Sequence, residues 1–178
     1  MLRKNGYHTA SVGKWHLGLD WPKDSSGNIH FKSPLKNTPI VNGFNEFYGI
    51  GASLDIPPYL YIKNDKITAT EIDSIDGTTG KRFWRAGPIG NDFKHKDVLP
   101  HLTRKATDYI ERQAKTKQPF FLYYALPAPH TPILPTSTFI GKSNTNLYGD
   151  FVVMIDDVVK QIMETVQVNG IEKNTLII

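Results

Sequence analysis

The chain of 178 residues contains no cysteine. That absence removes disulfides, a thiolate nucleophile and any Cys-type zinc site. Long hydrophobic runs are missing as well: none, the one around Thr175–Ile178 included, approaches the roughly 18 apolar residues of a membrane helix. Met1 is followed by Leu2-Arg3-Lys4-Asn5-Gly6 with no apolar core behind the charges, so no secretory leader is visible. No internal repeat, Gly-rich phosphate loop or GxSxG elbow occurs. Twenty-one basic residues against 17 acidic ones give a net charge of +4. Because Lys and Arg never run longer than two together, the charge reads as a solvated basic surface rather than a nucleic-acid footprint.

What is present is globular in composition, at 39% hydrophobic, 21% charged and 11% aromatic residues. Tyr7–Lys14, rich in small and β-branched residues after Asn5-Gly6, predicts a strand. From Leu17 to about Asn91 the chain is turn-rich, with one hairpin: Tyr59–Lys63 pairs with Lys66–Thr70 across Asn64-Asp65. Asp97 is placed to cap a helix that carries Pro100 in its first turn. Val98/Leu99, Leu102, Ala106 and Tyr109/Ile110 repeat along it at helical spacing. Pro119–Leu126 (PFFLYYAL) has the profile of a strand buried on both faces. A second helix spans roughly Tyr148–Val168, stopped by Asn169-Gly170, and Thr175–Ile178 predicts another buried strand. Helices alternating with buried strands predict an α/β domain with a mostly parallel sheet flanked by helices. Ending on an apolar strand, the domain is expected to be incomplete and cut from something longer.

In such sheets ligands sit beyond the carboxyl ends of the strands. Gly13-Lys14-Trp15-His16-Leu17-Gly18 lies at one such end, and strand alternation puts Lys14 and His16 on one face with Trp15 on the other. A fixed cation beside an imidazole suits a bound anion and a proton transfer; the alternative is a solvent-facing lysine and a histidine packed on Trp15. Ala128-Pro129-His130-Thr131-Pro132 follows the apolar strand, and its two prolines predict an extended, rigid loop that aims His130. A structural loop histidine is the competing reading. Asp55, ahead of Pro57-Pro58, could reach a substrate or simply form a turn. Asp156-Asp157 reads as a helix-surface pair, since adjacent helical positions do not form a clamp. His95 and His101 lack the neighbours to complete a metal set, and His8 and His30 have no context. Lys81-Arg82-Phe83-Trp84-Arg85 interleaves cations with aromatics, a weak signal for a sugar ring or nucleic acid.

Gly6 to Gly18 (GYHTASVGKWHLG) resembles, nearly residue for residue, a motif of the type I sulfatases. Pro119–Pro132, ending in PHTP, is similar to the loop where that family places another active-site histidine. Tyr148 through Asp156-Asp157 to Ile178 resembles the helix and strand leading to the family's metal-binding Asp-Asn loop. Ser53-Leu54-Asp55-Ile56-Pro57-Pro58-Tyr59 looks like bacterial arylsulfatase-type members. The resemblance implies that residues 1–178 are part of a sulfatase catalytic (N-terminal) domain, alkaline-phosphatase-like in fold and incomplete at both ends. It implies hydrolysis of sulfate esters of carbohydrates or aryl alcohols, with calcium beside a formylglycine made from Cys or Ser. Carried over by position, Lys14 would neutralise sulfate oxygens, His16 would bond the hydrated aldehyde, and His130 would contact the sulfate and protonate the leaving oxygen. Cys/Ser-x-Pro-x-Arg, the calcium-binding Asp pair and the Asp-Asn ligands have no counterpart here, so both calcium and formylglycine are expected outside these residues. The 178-residue chain alone is expected to be inactive. A periplasmic or secreted location is the family expectation. A phosphatase or phosphodiesterase of the same superfamily, or a non-catalytic module that binds sulfated glycans, are the alternatives.

Overall fold

The computed structural model describes residues 1–178. Along the chain run strands β1 (His8–Lys14), β2 (Glu46–Ile50), β3 (Tyr61–Lys63), β4 (Lys66–Ile67), β5 (Ile72–Ile75), β6 (Gly87–Gly90) and β7 (Phe120–Ala125). Helix α1 (Val98–Ala114) precedes β7, and α2 (Leu147–Val168) follows it. The main sheet has the order β4-β3-β2-β1-β7. Its centre is parallel, with Gly13 of β1 opposite both Gly49 of β2 and Ala125 of β7. The hairpin β3-β4 extends it in antiparallel sense, turning at Asn64 with φ 60°. The sheet is therefore mixed, and the expectation of a mostly parallel one holds only for the central trio. β5 and β6 form a separate antiparallel pair.

Alternation along β2 sends Tyr48 to the helix side and Phe47 to the other. On the helix side Val12, Ile50, Leu54, Tyr59, Tyr61, Phe93, Val98, Leu102 and Ala106 share one core. The buried stripe of α1, from Val98 through Leu102 and Ala106 to Tyr109, follows the predicted periodicity. On the other side Trp15, Leu35, Phe47 and Ile62 make a smaller core under the insertion between β1 and β2. Helix α2 begins at Asn146, whose side chain accepts from the amides of Tyr148 and Gly149. Its Phe151, Met154 and Val158 pack on Leu99 and Ile133.

Four expectations are corrected. Asp97 does not cap α1 through its side chain, because a 3-10 turn over His95–Asp97 runs into the helix and Asp97 is itself already helical (φ −95°, ψ −6°). β7 is not buried on both faces: it is the sheet's edge strand, and Phe121 and Tyr123 stand 39% and 42% exposed, met on their face by Phe44. Thr175–Ile178 is not a strand. A strand exists through its ladder to a neighbour; no segment pairs with this one, and Leu176 is 83% exposed. Finally, the turn-rich stretch holds three strands that turn signals concealed: β2, β5 and β6.

Candidate active site

β2, β1 and β7 run parallel, so the segments after Ile50, Lys14 and Ala125 emerge at the same sheet edge. Glycine lets them crowd together. A Cβ on Gly13, whose φ is 111°, would stand 2.0 Å from the carbonyl oxygen of Ala125, and one on Gly49 would stand 1.9 Å from that of Gly13. Beyond the strand end the β1–β2 pairing continues, with Trp15 N donating to Ile50 O (3.0 Å) and His16 N to Gly51 O (3.2 Å). Trp15 turns inward and donates Nε1–H to Gly18 O at 3.0 Å. Lys14 is half-buried and His16 exposed, with buried Trp15 between them. The strand nevertheless stops at Lys14, and His16 adopts the left-handed φ of 44°.

The segment after β2 joins the two candidate histidines. Ser53, buried, places its Oγ 3.1 Å from His16 Nδ1. Two residues on, Asp55 is 8% exposed and faces the β7 loop. Its Oδ2 accepts from Arg85 Nη1 at 2.7 Å, and its carbonyl oxygen accepts from the same nitrogen at 3.0 Å. Its other carboxylate oxygen, Oδ1, is buried without a hydrogen-bond partner, 3.9 Å from His130 Nδ1. His130 lies half-exposed with Nδ1 2.6 Å from Thr131 O, a contact that puts the proton on Nδ1. The loop carrying it bends at Pro129–Pro132 rather than running extended. Buried Ile133 draws it back, held by its amide on Lys81 O at 2.8 Å. Asp55 is thus more than a turn former, although ordinary hydrogen bonding to Arg85 accounts for half of its carboxylate.

A buried platform supports this segment. His95 stacks on Trp84 (centroids 4.2 Å apart, 13° between planes) and meets Tyr59 edge-on at 4.4 Å. Burial pushes the His95 imidazole down to about 4, against an opposing hydrogen bond with the Leu54 backbone. It is a neutral pillar under Ser53–Asp55. Tyr59 donates its hydroxyl to Arg85 O at 2.7 Å, and burial raises it to about 12. Trp84 and Arg85 of the cation–aromatic patch are consumed in this way by the fold.

The remaining candidates are structural. His101 Nε2 meets the Tyr48 hydroxyl at 2.8 Å, and burial lowers its pKa. His8 contacts Tyr109, and His30 contacts Ser33. Asp156 is exposed on α2, and Asp157 accepts from Gln161. No group of three or more His, Asp or Glu side chains is placed to hold a metal ion. These residues do not fit a calcium site. Of the candidate residues, Lys14 ends β1, His16 follows it and His130 lies in the loop after β7; His16 and His130 are linked by Ser53 and Asp55, two residues apart. Ser53 and Arg85 were not found by spacing. The Ser53–Tyr59 similarity was the one available signal for the first, and Arg85 had none.

A lysine and two imidazoles thus stand at the convergent ends of parallel strands in an α/β domain. The sulfatase family profile matches residues 1–178, and the chain belongs to that family. N-acetylgalactosamine-6-sulfatase of Mus musculus is 32% identical over 177 residues, covering 99% of this chain and 30% of the mouse protein. N-acetylgalactosamine-6-O-sulfatase of Bacteroides thetaiotaomicron is 28% identical, covering all of this chain and 40% of its own. Among solved structures, one from Bacteroides thetaiotaomicron concerned with glycosaminoglycan metabolism superposes with a TM-score of 0.81 at 24% identity, over 98% of this chain and 42% of that one. A Pseudoalteromonas sulfatase superposes with a TM-score of 0.66 at 19% identity, over 98% and 35%. These two establish the fold, which is that of sulfatases. The chain spans about a third of the length of the relatives it matches. No helix is long and apolar enough to cross a membrane.

Proposed function

We propose that the protein to which these residues belong is a sulfuric ester hydrolase acting on sulfated carbohydrate, with 6-O-sulfated N-acetylgalactosamine as the first substrate to test. The observation that carries this is the grouping of Lys14 and His16 at the end of β1 with His130 in the loop after the adjacent strand β7. Similarity to N-acetylgalactosamine 6-sulfatases from mouse and Bacteroides supports the choice of sugar.

Hydrolysis breaks the S–O bond to the sugar, spreads charge over the sulfate oxygens and leaves an alkoxide that must be protonated. Lys14, a fixed cation at the end of β1, counters the charge on sulfate oxygens. His130, with Nδ1 turned toward Thr131 O and Asp55, keeps Nε2 for the leaving oxygen, which takes the Nε2 proton. His16, which Ser53 Oγ meets at 3.1 Å, would hydrogen-bond to the attacking group. In this family reading a formylglycine supplies the attacking oxygen and calcium the companion charge, and both come from residues other than these. The 178-residue chain alone is therefore expected to turn over nothing. A periplasmic or secreted location accompanies the reading, and cell fractionation of the complete protein tests it.

The deciding experiment compares release of sulfate and of phosphate by the complete protein from the 6-sulfate and 6-phosphate of N-acetylgalactosamine. Preference for the sulfate, lost by about 100-fold or more in Lys14→Ala and His130→Ala, is expected. Preference for the phosphate monoester would replace the reading with a phosphatase. Tight glycan binding without turnover would replace it with a binding module.

A further inference from the structure

Two buried polar atoms of the site and its platform lack a hydrogen-bond partner, His95 Nε2 and Asp55 Oδ1, and Asp55 Oδ1 is the one that faces a candidate histidine. It is buried, it makes no hydrogen bond, and His130 Nδ1 lies 3.9 Å away. An unpaired buried carboxylate oxygen forfeits its hydration without replacement. The rest of the residue is fixed: Oδ2 and the backbone carbonyl are both held by Arg85 Nη1, and the Arg85 amide returns a bond of 3.2 Å to Asp55 O. Asp55 therefore cannot swing away to find another partner. His130 can move, because it is half-exposed and its one hydrogen bond is to the carbonyl of the adjacent residue. A small rotation of the ring carries Nδ1–H from Thr131 O toward Oδ1.

The geometry points to Asp55 as a positioning residue for His130: it takes the Nδ1 proton in a hydrogen bond, fixes the tautomer and balances the imidazolium, while Arg85 holds the carboxylate in place. The inference rests on the sulfatase reading for its purpose but not for its geometry. In the transfer step both ring nitrogens start protonated. Nε2–H passes to the leaving oxygen, Nδ1–H stays on Asp55, and the ring ends neutral. The carboxylate takes no proton. This is the logic by which a buried aspartate orients the histidine of a serine hydrolase, here built from a different arrangement.

The test separates the two ideas. In Asp55→Asn, Arg85 retains the amide oxygen, so the NH2 group faces His130 Nδ1 and forces that nitrogen to accept. Two-bond ¹H–¹⁵N spectra of the histidine rings in the 178-residue chain should then report His130 as Nδ1–H in the parent and Nε2–H in the variant. A variant that stays Nδ1–H with its backbone spectrum otherwise native overturns the proposal, because Thr131 O alone then sets the ring. If Asp55→Asn does not fold, Arg85→Gln serves instead: Asp55 remains, and His130 should stay Nδ1–H; an Nε2–H ring in that variant refutes the role. In the complete enzyme, Asp55→Asn should lose at least about tenfold more kcat on the sugar sulfate than on an aryl sulfate whose leaving group needs no proton. Equal losses on both esters would mark a merely structural aspartate. Absence of sulfatase activity in the parent would sink the functional reading and leave the ring spectra to judge Asp55 on its own.

Discussion

Gly13→Ala is the substitution that most directly examines how the site is assembled. Gly13 has φ 111°, and an added Cβ would lie 2.0 Å from Ala125 O and 2.8 Å from its carbonyl carbon, where ordinary contact begins at 3.4 Å. Backbone, not a flexible side chain, stands in the way. The end of β7 must retreat by more than an ångström, or β1 must. Forcing an L-residue into this conformation costs about 1–3 kcal/mol, overpacking against fixed atoms about 1–3 more, and each ladder hydrogen bond lost about 1. With one such bond lost the total, roughly 3–7 kcal/mol, is comparable with the whole stability of many domains. Gly18→Ala supplies the control: its φ is 84°, yet nothing lies within 4 Å of the added atom, so conformational cost alone applies, about 1–3 kcal/mol. Urea unfolding of the three chains, read as midpoint at constant slope, should place Gly13→Ala well below Gly18→Ala. Equal midpoints would refute the argument that backbone crowding holds the three strand ends together.

His95 makes stability depend on pH in a definite direction. Its folded value of about 4 lies below the ordinary 6.5, so the unfolded chain binds the extra proton. The contribution is fully present above about pH 6.5 and is lost as pH falls toward 4, on the order of 2 kcal/mol by pH 5. Urea midpoints at the two pH values should show this loss in the parent and much less of it in His95→Phe; an equal loss in both would assign the acid sensitivity elsewhere. Ser53→Ala removes the 3.1 Å contact with His16. It should cost the complete enzyme up to about tenfold in kcat with little change in KM, and an unchanged kcat would show that His16 is steadied by other means.

The parts of the fold legible in the sequence are those whose pattern is local. The stripe of α1 from Val98 to Ile110, the Asn169-Gly170 stop and the Asn64-Asp65 hairpin each depend on residues a few positions apart, and each is where spacing puts it. β7 was legible as a strand but not in its surroundings, because an apolar run says nothing of which neighbours cover it; edge placement leaves Phe121 and Tyr123 open. β2 was hidden by the glycines and asparagines around Glu46–Ile50, which read as turn signals although Gly49 serves close strand approach. Lys14, His16 and His130 stood out through the sulfatase-like motifs and their places after strands. Arg85 could not be found this way, since its bond to Asp55 spans thirty positions and no periodicity links them.

Charge at these strand ends is arranged around one buried carboxylate. Away from them, Arg112 grips both oxygens of Glu46 at 2.8 Å, and Lys160 lies 3.7 Å from Glu164. Surface pairs of that kind contribute little stability. Asp55, on the segment linking the two histidines, is already matched by Arg85 at 2.7 Å, whereas Lys14 lies near no carboxylate in any ion pair. Were Arg85 absent, the Asp55 charge would repel an approaching sulfate; with it, the carboxylate acts at short range on His130 and is screened from the ligand. Arg85 thus lets one buried carboxylate serve a histidine without cancelling the field of Lys14.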